Sequence, residues 1–95
     1  MQKKKKKRAI ITVIGRDKVG IIAQVSQVMA ENNINIEELN QTIIKKIFTM
    51  VMLVDLTQVS LSVAELSRKL NKLSGKINCE IHVHDEKIIN AMHRL

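Results

Sequence analysis

The spacing of apolar residues predicts four strands along this chain. Residues 9–15 and 47–55 are rich in β-branched side chains and apolar on both faces, which is typical of the central strands of a sheet. Residues 76–84 alternate between apolar and polar side chains, so they predict a strand with one buried face. Residues 34–44 follow a mixed pattern that predicts an edge strand, and a two-lysine turn joins them to the next strand.

Two segments with helical spacing separate these strands. The first covers residues 21–31; Asp17 can cap its start, and the asparagine pair that follows it favours its end. The second follows Ser62, which forms a capping-box pattern with Glu65, and it is expected to end at Gly75.

The resulting order, β-α-β-β-α-β with a short C-terminal helix, predicts an α+β fold of the ferredoxin-like type. The last helix is expected to begin after Asp85 and to carry these apolar residues: Ile88, Ile89, Met92 and Leu95. Right-handed crossovers place the two main helices on one face of a four-stranded antiparallel sheet. The expected strand order is fourth, first, third, second, which puts the two most apolar strands at the centre.

The other face of this sheet would remain uncovered in a monomer. Apolar and β-branched residues of both central strands project from it: Ile10, Thr12, Ile14, Ile47, Thr49, Val51 and Leu53. An exposed apolar patch of this kind usually marks an interface, and a second copy of the chain is the simplest cover for it. The sequence therefore predicts a homodimer or larger homo-oligomer. It leaves open whether two sheets stack back to back or join side by side.

The charge of the chain is concentrated at its start. The 95 residues suffice for one domain, with an expected basic tail over residues 1–8 and a single domain over residues 9–95. Lysine and arginine total 16 against 9 aspartates and glutamates, a net charge of +7, but the first eight residues hold six of these cations. Such a tail either solubilises the chain or contacts an anionic partner. Phe48 is the only aromatic residue, so nucleic-acid binding through stacked bases is not favoured.

The compartment expected from the sequence is the cytoplasm. The single cysteine, Cys79, cannot form an internal disulfide and suits a reducing environment. The apolar runs are shorter than the roughly 18 residues that cross a bilayer, and no signal-peptide core follows the lysine-rich start.

Two motifs give the chain a resemblance to the ACT domain family. Residues 15–26, GRDKVGIIAQVS, and residues 35–42, NIEELNQT, are similar to the family's glycine turn, first helix and second strand. The resemblance covers residues 9–84 and points to small free-standing ACT proteins and to the ACT modules of glycine-cleavage repressors and formyltetrahydrofolate deformylases. Val19 stands where the family often has proline, although Gly20 is retained. The resemblance implies a regulatory domain that binds a small molecule, mostly an amino acid, usually between two copies, and that passes the signal to an attached enzyme or DNA-binding domain. The sequence shows no such attached domain, so the chain is expected to act on a partner protein in trans or merely to sense its ligand.

The expected ligand site of such a domain lies at the start of the first helix. Gly20 lets a ligand approach the backbone, and the amides of Gly20, Ile21 and Ile22 would face its carboxylate. Asp17 could accept a hydrogen bond from an α-ammonium group. Uncharged groups of the second strand, from the same chain or a partner, would complete the site: Asn35, Asn40 and Gln41. The alternative is structural, with Asp17 as a helix cap, Gly20 as a tight turn and Asn40 as a solvated edge residue.

The remaining candidate chemistry consists of three histidines and one arginine. His82 and His84 share one strand face and could bind zinc or nickel with His93. Cys79 has the opposite strand parity and cannot join them. Acylphosphatases have the same chain topology, and Arg16 lies in the corresponding loop, but their phosphate-binding glycine motif is missing. No nucleophile has a histidine at a recognisable spacing, so the sequence predicts neither an enzyme nor a cofactor.

Overall fold

A four-stranded sheet carries both helices on one of its faces. The structure, a computed structural model, describes residues 7–87. Its elements are β1 (Arg8–Gly15), α1 (Lys18–Glu31), β2 (Asn35–Ile44), β3 (Ile47–Asp55), α2 (Val63–Ile77) and β4 (Glu80–Asp85). Neighbouring strands are antiparallel, in the order β2-β3-β1-β4. The predicted ferredoxin-like fold and its strand order are confirmed.

The core lies between the sheet and the helices. Alternate residues of the central strands face the helices and are almost fully buried: Ala9, Ile11, Val13, Phe48, Met50, Met52 and Val54. The two helices add residues at helical spacing: Ile21, Val25, Met29, Leu66, Leu70 and Leu73. Full burial of a large apolar side chain stabilises a fold by about 1.5–3 kcal/mol. Within residues 7–87, no helix is long and apolar enough to span a membrane.

The first helix starts earlier than its apolar pattern indicated. α1 begins at Lys18 rather than at Ile21, because Asp17 caps it and Gly20 lies inside its first turn. Gly20 therefore forms no separate turn, and none of the three glycines, all of them within the described residues, has a positive φ. The end is as predicted, with Asn32 as the C-cap.

The second helix confirms its predicted start and corrects its predicted end. The Glu65 N–H donates to Ser62 Oγ at 3.1 Å, and the Ser62 N–H donates to Glu65 Oε1 at 3.2 Å, which completes the capping box. The helix does not end at Gly75 but continues to Ile77, where Asn78 adopts the left-handed conformation with a φ of 52°. Asparagine tolerates this conformation, so glycine is not needed there.

The last strand is consequently shorter than predicted. β4 begins at Glu80, so Ile77 belongs to α2 and Cys79 to the connection between them. The buried face of the strand is formed by Ile81, with Val83 half-buried beside it. Ile77 and Cys79, the other two apolar members of the predicted alternation, also pack against the core, but from the end of α2 and from the connection rather than from the strand.

Both ends of the described chain are tied to the sheet. Lys7 and Arg8, assigned above to the tail, are part of the fold. The Leu56 N–H donates to the Lys7 carbonyl at 2.7 Å, and Arg8 forms ion pairs with Glu37 and Glu86. At the other end, Asp85 Oδ1 accepts the N–H of residue 87 at 2.9 Å, as expected of a cap. The predicted apolar side of the last helix lies outside the described residues.

Candidate functional site

The loop between β1 and α1 holds Asp17, whose carboxylate folds back over the start of the helix. Its Oδ1 accepts the Gly20 N–H at 3.1 Å, and its backbone carbonyl accepts the Ile21 N–H at 2.9 Å. A Cβ at position 20 would collide with the Asp17 carboxylate, so glycine allows this cap to close. Two of the three amides expected to face a ligand, those of Gly20 and Ile21, are thus bonded within the chain, and the third belongs to Ile22 in α1. The amide site stays a prediction, and a ligand would have to open this cap to reach it.

The β2 residues expected to complete the site lie elsewhere on the sheet. Asn35 opposes Asp55, at the end of the sheet opposite Gly15. Because β1 has eight residues at ~3.3 Å each, these two ends are about 20 Å apart. Asn40 and Gln41 are exposed in the middle of β2 and point to opposite faces of the sheet. One chain alone therefore does not bring the predicted set together.

The structure has a cavity beside Asp17 that the sequence did not predict. It has a volume of about 390 Å³ and is lined by residues 14–17, Ile47 and residues 77–80; we name it the strand-end cavity. The end of β1, the loop after it, the start of β3 and the α2–β4 connection meet there. Its volume lies within the range of small-molecule pockets. The sequence did not predict this cavity because residues 77–79 were assigned to the last strand, whereas the chain turns at Asn78, between α2 and β4.

The lining of the strand-end cavity combines charged side chains with apolar ones. Arg16 and Asp17 come from the loop, and Glu80 comes from the start of β4. Within residues 7–87, no salt bridge engages the Arg16 guanidinium. Burial raises the pKa of the Cys79 thiol, so the thiol is protonated at neutral pH. Cys79 therefore presents a small apolar surface to the cavity rather than a nucleophile.

The two strand histidines lie side by side on β4. The rings of His82 and His84 are stacked, with centroids 6.5 Å apart, on the sheet face away from the helices. No group of three or more potential metal ligands is found within residues 7–87, and His93 lies outside them. The structure thus offers two adjacent imidazoles, and metal binding by this pair stays a prediction.

Apolar side chains are exposed on the uncovered sheet face and along β2. Ile14, Ile47 and Val51 project from the uncovered face, as the alternation predicted. The larger exposures are on β2, where Ile43 is 57% and Ile44 61% exposed. The described residues 7–87 therefore present two apolar surfaces on which a second copy could pack.

Comparison with known proteins connects this architecture to a family. A family model described as an ACT domain matches residues 7–84. A UPF0237 protein of Methanopyrus kandleri is 44% identical over 88 residues, covering 93% of this chain and 98% of that protein. An ACT domain protein from Streptococcus pneumoniae has a TM-score of 0.79 and 32% identity, covering 90% of this chain and 96% of that one.

Two larger proteins contain a similar fold at lower identity. A formyltetrahydrofolate deformylase from Pseudomonas syringae has a TM-score of 0.76 and 17% identity, with 83% of this chain covering 27% of that one. A putative glycine cleavage system transcriptional repressor has a TM-score of 0.71 and 22% identity, with 84% of this chain covering 45% of that one. At these identities the likeness concerns the fold alone. The family model over residues 7–84 shows that the chain belongs to the ACT domain family.

Proposed function

We propose that this protein is a regulatory ACT domain that binds an amino acid, forms a homodimer and acts on a partner protein in trans. The proposal is carried by one observation: in a chain that matches the ACT domain over residues 7–84, Asp17 lies at the β1–α1 junction beside an open cavity. The Methanopyrus relative is matched over 98% of its length, which supports a role in trans. The unpaired thiol of Cys79 supports a reducing compartment, the cytoplasm.

The homodimer is proposed to form along the edge of β2. This strand has ten residues and lies at the edge of the sheet, and its second half, residues 39–44, has no charged side chain. A long, uncharged and exposed edge strand is open to pairing with another chain. Two copies of β2 related by a twofold axis would pair and cover each other's Leu39 and Ile43. The uncovered sheet face remains the alternative contact, which leads to stacked sheets or a larger assembly.

Ligand binding is tested by a thermal-shift screen of the wild-type chain against the twenty amino acids. A ligand that binds only the folded state raises the melting temperature, by an amount that grows with the logarithm of its concentration once this exceeds Kd. We expect at least one amino acid to do so. If none shifts the melting temperature at millimolar concentration, the proposed amino-acid site is wrong.

The role of Asp17 is tested by Asp17→Asn. Asparagine caps a helix about as well as aspartate, so the melting temperature without ligand should change little. The variant loses the negative charge expected to face an ammonium group, and charge-assisted hydrogen bonds are about twice as strong as neutral ones. The ligand-induced shift should therefore fall. An unchanged shift would remove Asp17 from the site.

A second candidate function, contact with an anionic partner such as nucleic acid, is favoured by the charge of α2. Arg68, Lys69 and Lys72 line a shallow depression on this helix, in addition to the lysine-rich start of the chain. Such binding should weaken steeply between 50 and 200 mM salt, by roughly 10³-fold for six phosphate contacts. Deleting residues 2–6 should also weaken it, whereas amino-acid binding should survive both changes. Zinc and nickel, added in the same screen, test the His82–His84 pair.

A further inference from the structure

The walls of the strand-end cavity are the ends of β1, β3, α2 and β4 together with two short connections, residues 16–17 and residues 78–79. Gly15 ends β1 in close contact with Cys79: a Cβ at position 15 would lie 2.8 Å from the Cys79 Cβ and 2.5 Å from Ile21 Cδ1. The Cys79 N–H donates to the Ser74 carbonyl at 3.2 Å, which holds the α2–β4 connection against the end of the helix. Side chains on such supports keep their positions better than side chains in the middle of a long loop.

The apolar part of this cavity is formed by three isoleucines from three different elements. Ile14 comes from β1, Ile47 from β3 and Ile77 from the end of α2. Ile14 and Ile47 are each 39% exposed, although both are large apolar residues of central strands. An apolar ligand group resting between them would remove that surface from water.

The charges around this apolar surface include both signs. Arg16 carries a guanidinium without a salt-bridge partner among residues 7–87, and Asp17 and Glu80 add two carboxylates to the lining. A guanidinium binds a carboxylate through two parallel hydrogen bonds. A ligand that satisfies this lining has a carboxylate, an ammonium group and an uncharged apolar remainder.

We propose that the strand-end cavity binds an amino acid with an aliphatic side chain, such as leucine, isoleucine, valine or methionine. Its carboxylate pairs with Arg16, its ammonium group faces Asp17 and Glu80, and its side chain rests on Ile14 and Ile47. This inference rests on the proposed amino-acid function and assigns it to a place and a ligand class. It differs from the helix-start site in requiring no opening of the Asp17 cap.

Isothermal titration of the full chain with L-leucine, glycine and L-aspartate tests the ligand class. Leucine should bind at least about tenfold more tightly than glycine, because each methylene placed in an apolar pocket contributes roughly tenfold or more. Aspartate should bind no better than glycine, since its second carboxylate would lie on the apolar surface. Two variants localise the site: Arg16→Met and Ile47→Thr should each weaken leucine binding, the former by about tenfold or more.

Each variant has a matched control in a neighbouring residue that does not line the cavity. Lys18→Met removes a cation two positions after Arg16, and Ile44→Thr changes the cross-strand partner of Ile47. Both controls should bind leucine as the wild type does. Circular dichroism and melting curves of all four variants establish that they are folded.

The lone cysteine provides a direct readout of occupancy. Cys79 lines the cavity and is partly exposed, so N-ethylmaleimide should modify it slowly, and bound leucine should reduce that rate in proportion to occupancy. If amino acids bind without a preference for aliphatic side chains, or without protecting Cys79, the cavity assignment is wrong while the proposed function stands. If leucine binds equally well to Arg16→Met, the assignment is also wrong. If no amino acid binds at all, the proposed function fails with it.

Discussion

The two β-α-β halves of this domain, β1-α1-β2 and β3-α2-β4, differ in how open their edge strands are to another chain. In the second half, β4 is a short edge strand of six residues that begins and ends with acidic side chains, and α2 packs along it. In the first half, β2 has ten residues, and α1 makes few contacts with it. Short, charged edges discourage pairing with other chains, whereas long apolar ones invite it. The same topology thus gives one edge that disfavours pairing with another chain and one that is open to it.

The two helices also differ, because the ends of α2 are capped and charged more completely than the ends of α1. α2 begins with a reciprocal capping box, has Lys76 in its last turn and ends on a left-handed asparagine. α1 has Asp17 as its N-cap and Asn32 as its C-cap, but it has no acidic residue in its first turn and no basic residue in its last. Charged residues at these places interact favourably with the helix dipole. The second half is therefore specified more fully by its own local sequence, while the first half relies more on packing.

The largest effect is expected from a charge placed on the open edge. Ile43→Lys should raise the dissociation constant of the dimer by at least about 100-fold, since an unpaired charge in the middle of an apolar interface costs several kcal/mol. Its side chain is mostly solvent-exposed in one chain, so the fold itself should be retained. Light scattering after size-exclusion chromatography at tens of micromolar should show a monomer.

Two matched lysine substitutions show which surface holds the dimer together. His82→Lys alters the closed edge at β4, and Val51→Lys alters the uncovered sheet face. Both variants should remain dimeric if β2 pairs with β2. If Val51→Lys dissociates the dimer and Ile43→Lys does not, the sheets stack back to back, and the edge comparison does not explain assembly. A wild-type chain that is monomeric at this concentration would contradict both arrangements.

The next effect compares a glycine from each half. Gly15→Ala should destabilise the fold by about 1–3 kcal/mol, because the new Cβ would overlap Ile21 and Cys79 in a packed region. Gly75→Ala should instead stabilise it by about 0.5–1 kcal/mol, because Gly75 lies inside α2 with nothing within 4 Å of its added Cβ. Urea unfolding of the two variants measures both values. Equal effects of the same sign would show that these positions are not packed as the structure has them.

In the second half, the start of α2 was predicted correctly from the sequence, but the end of α2 and the start of β4 were not. The capping box identified the start of α2, but Gly75 indicated too early an end, because asparagine adopts the left-handed conformation less often than glycine and Asn78 is therefore the weaker signal. That error lengthened β4 and placed Cys79 on a strand, which concealed the strand-end cavity. Strand order and burial were predictable because β1, in the first half, and β3, in the second half, are apolar on both faces. The sequence predicted that Asp17 caps α1. It did not predict that the Asp17 carboxylate accepts the Gly20 N–H, because this hydrogen bond depends on a side-chain rotamer, which a residue pattern does not specify.

A smaller effect separates the two helix caps. Ser62→Ala removes a hydroxyl that accepts the Glu65 N–H and should lower the free energy of unfolding by about 1 kcal/mol. Asp17→Asn keeps an equivalent cap oxygen and should change it by less than about 0.5 kcal/mol. Both variants are measured by urea unfolding without ligand. A larger loss for Asp17→Asn would mean that α1 depends on the negative charge of its cap and not only on the cap oxygen.

The smallest effect concerns acid stability and the second half of the capping box. Two hydrogen bonds from Ser62 lower the pKa of Glu65 below its usual value; the bond from the Ser62 N–H has the larger effect and the bond from the Ser62 hydroxyl the smaller one. A carboxylate whose pKa is lower in the folded state stabilises the fold above its unfolded pKa of about 4.3, and this contribution is lost as pH falls through the folded pKa. Glu65→Gln lacks the titrating group, so its urea midpoint should decline less than that of the wild type between pH 5 and 3. Parallel declines would mean that the capping carboxylate stabilises α2 no more in its charged form than in its neutral one.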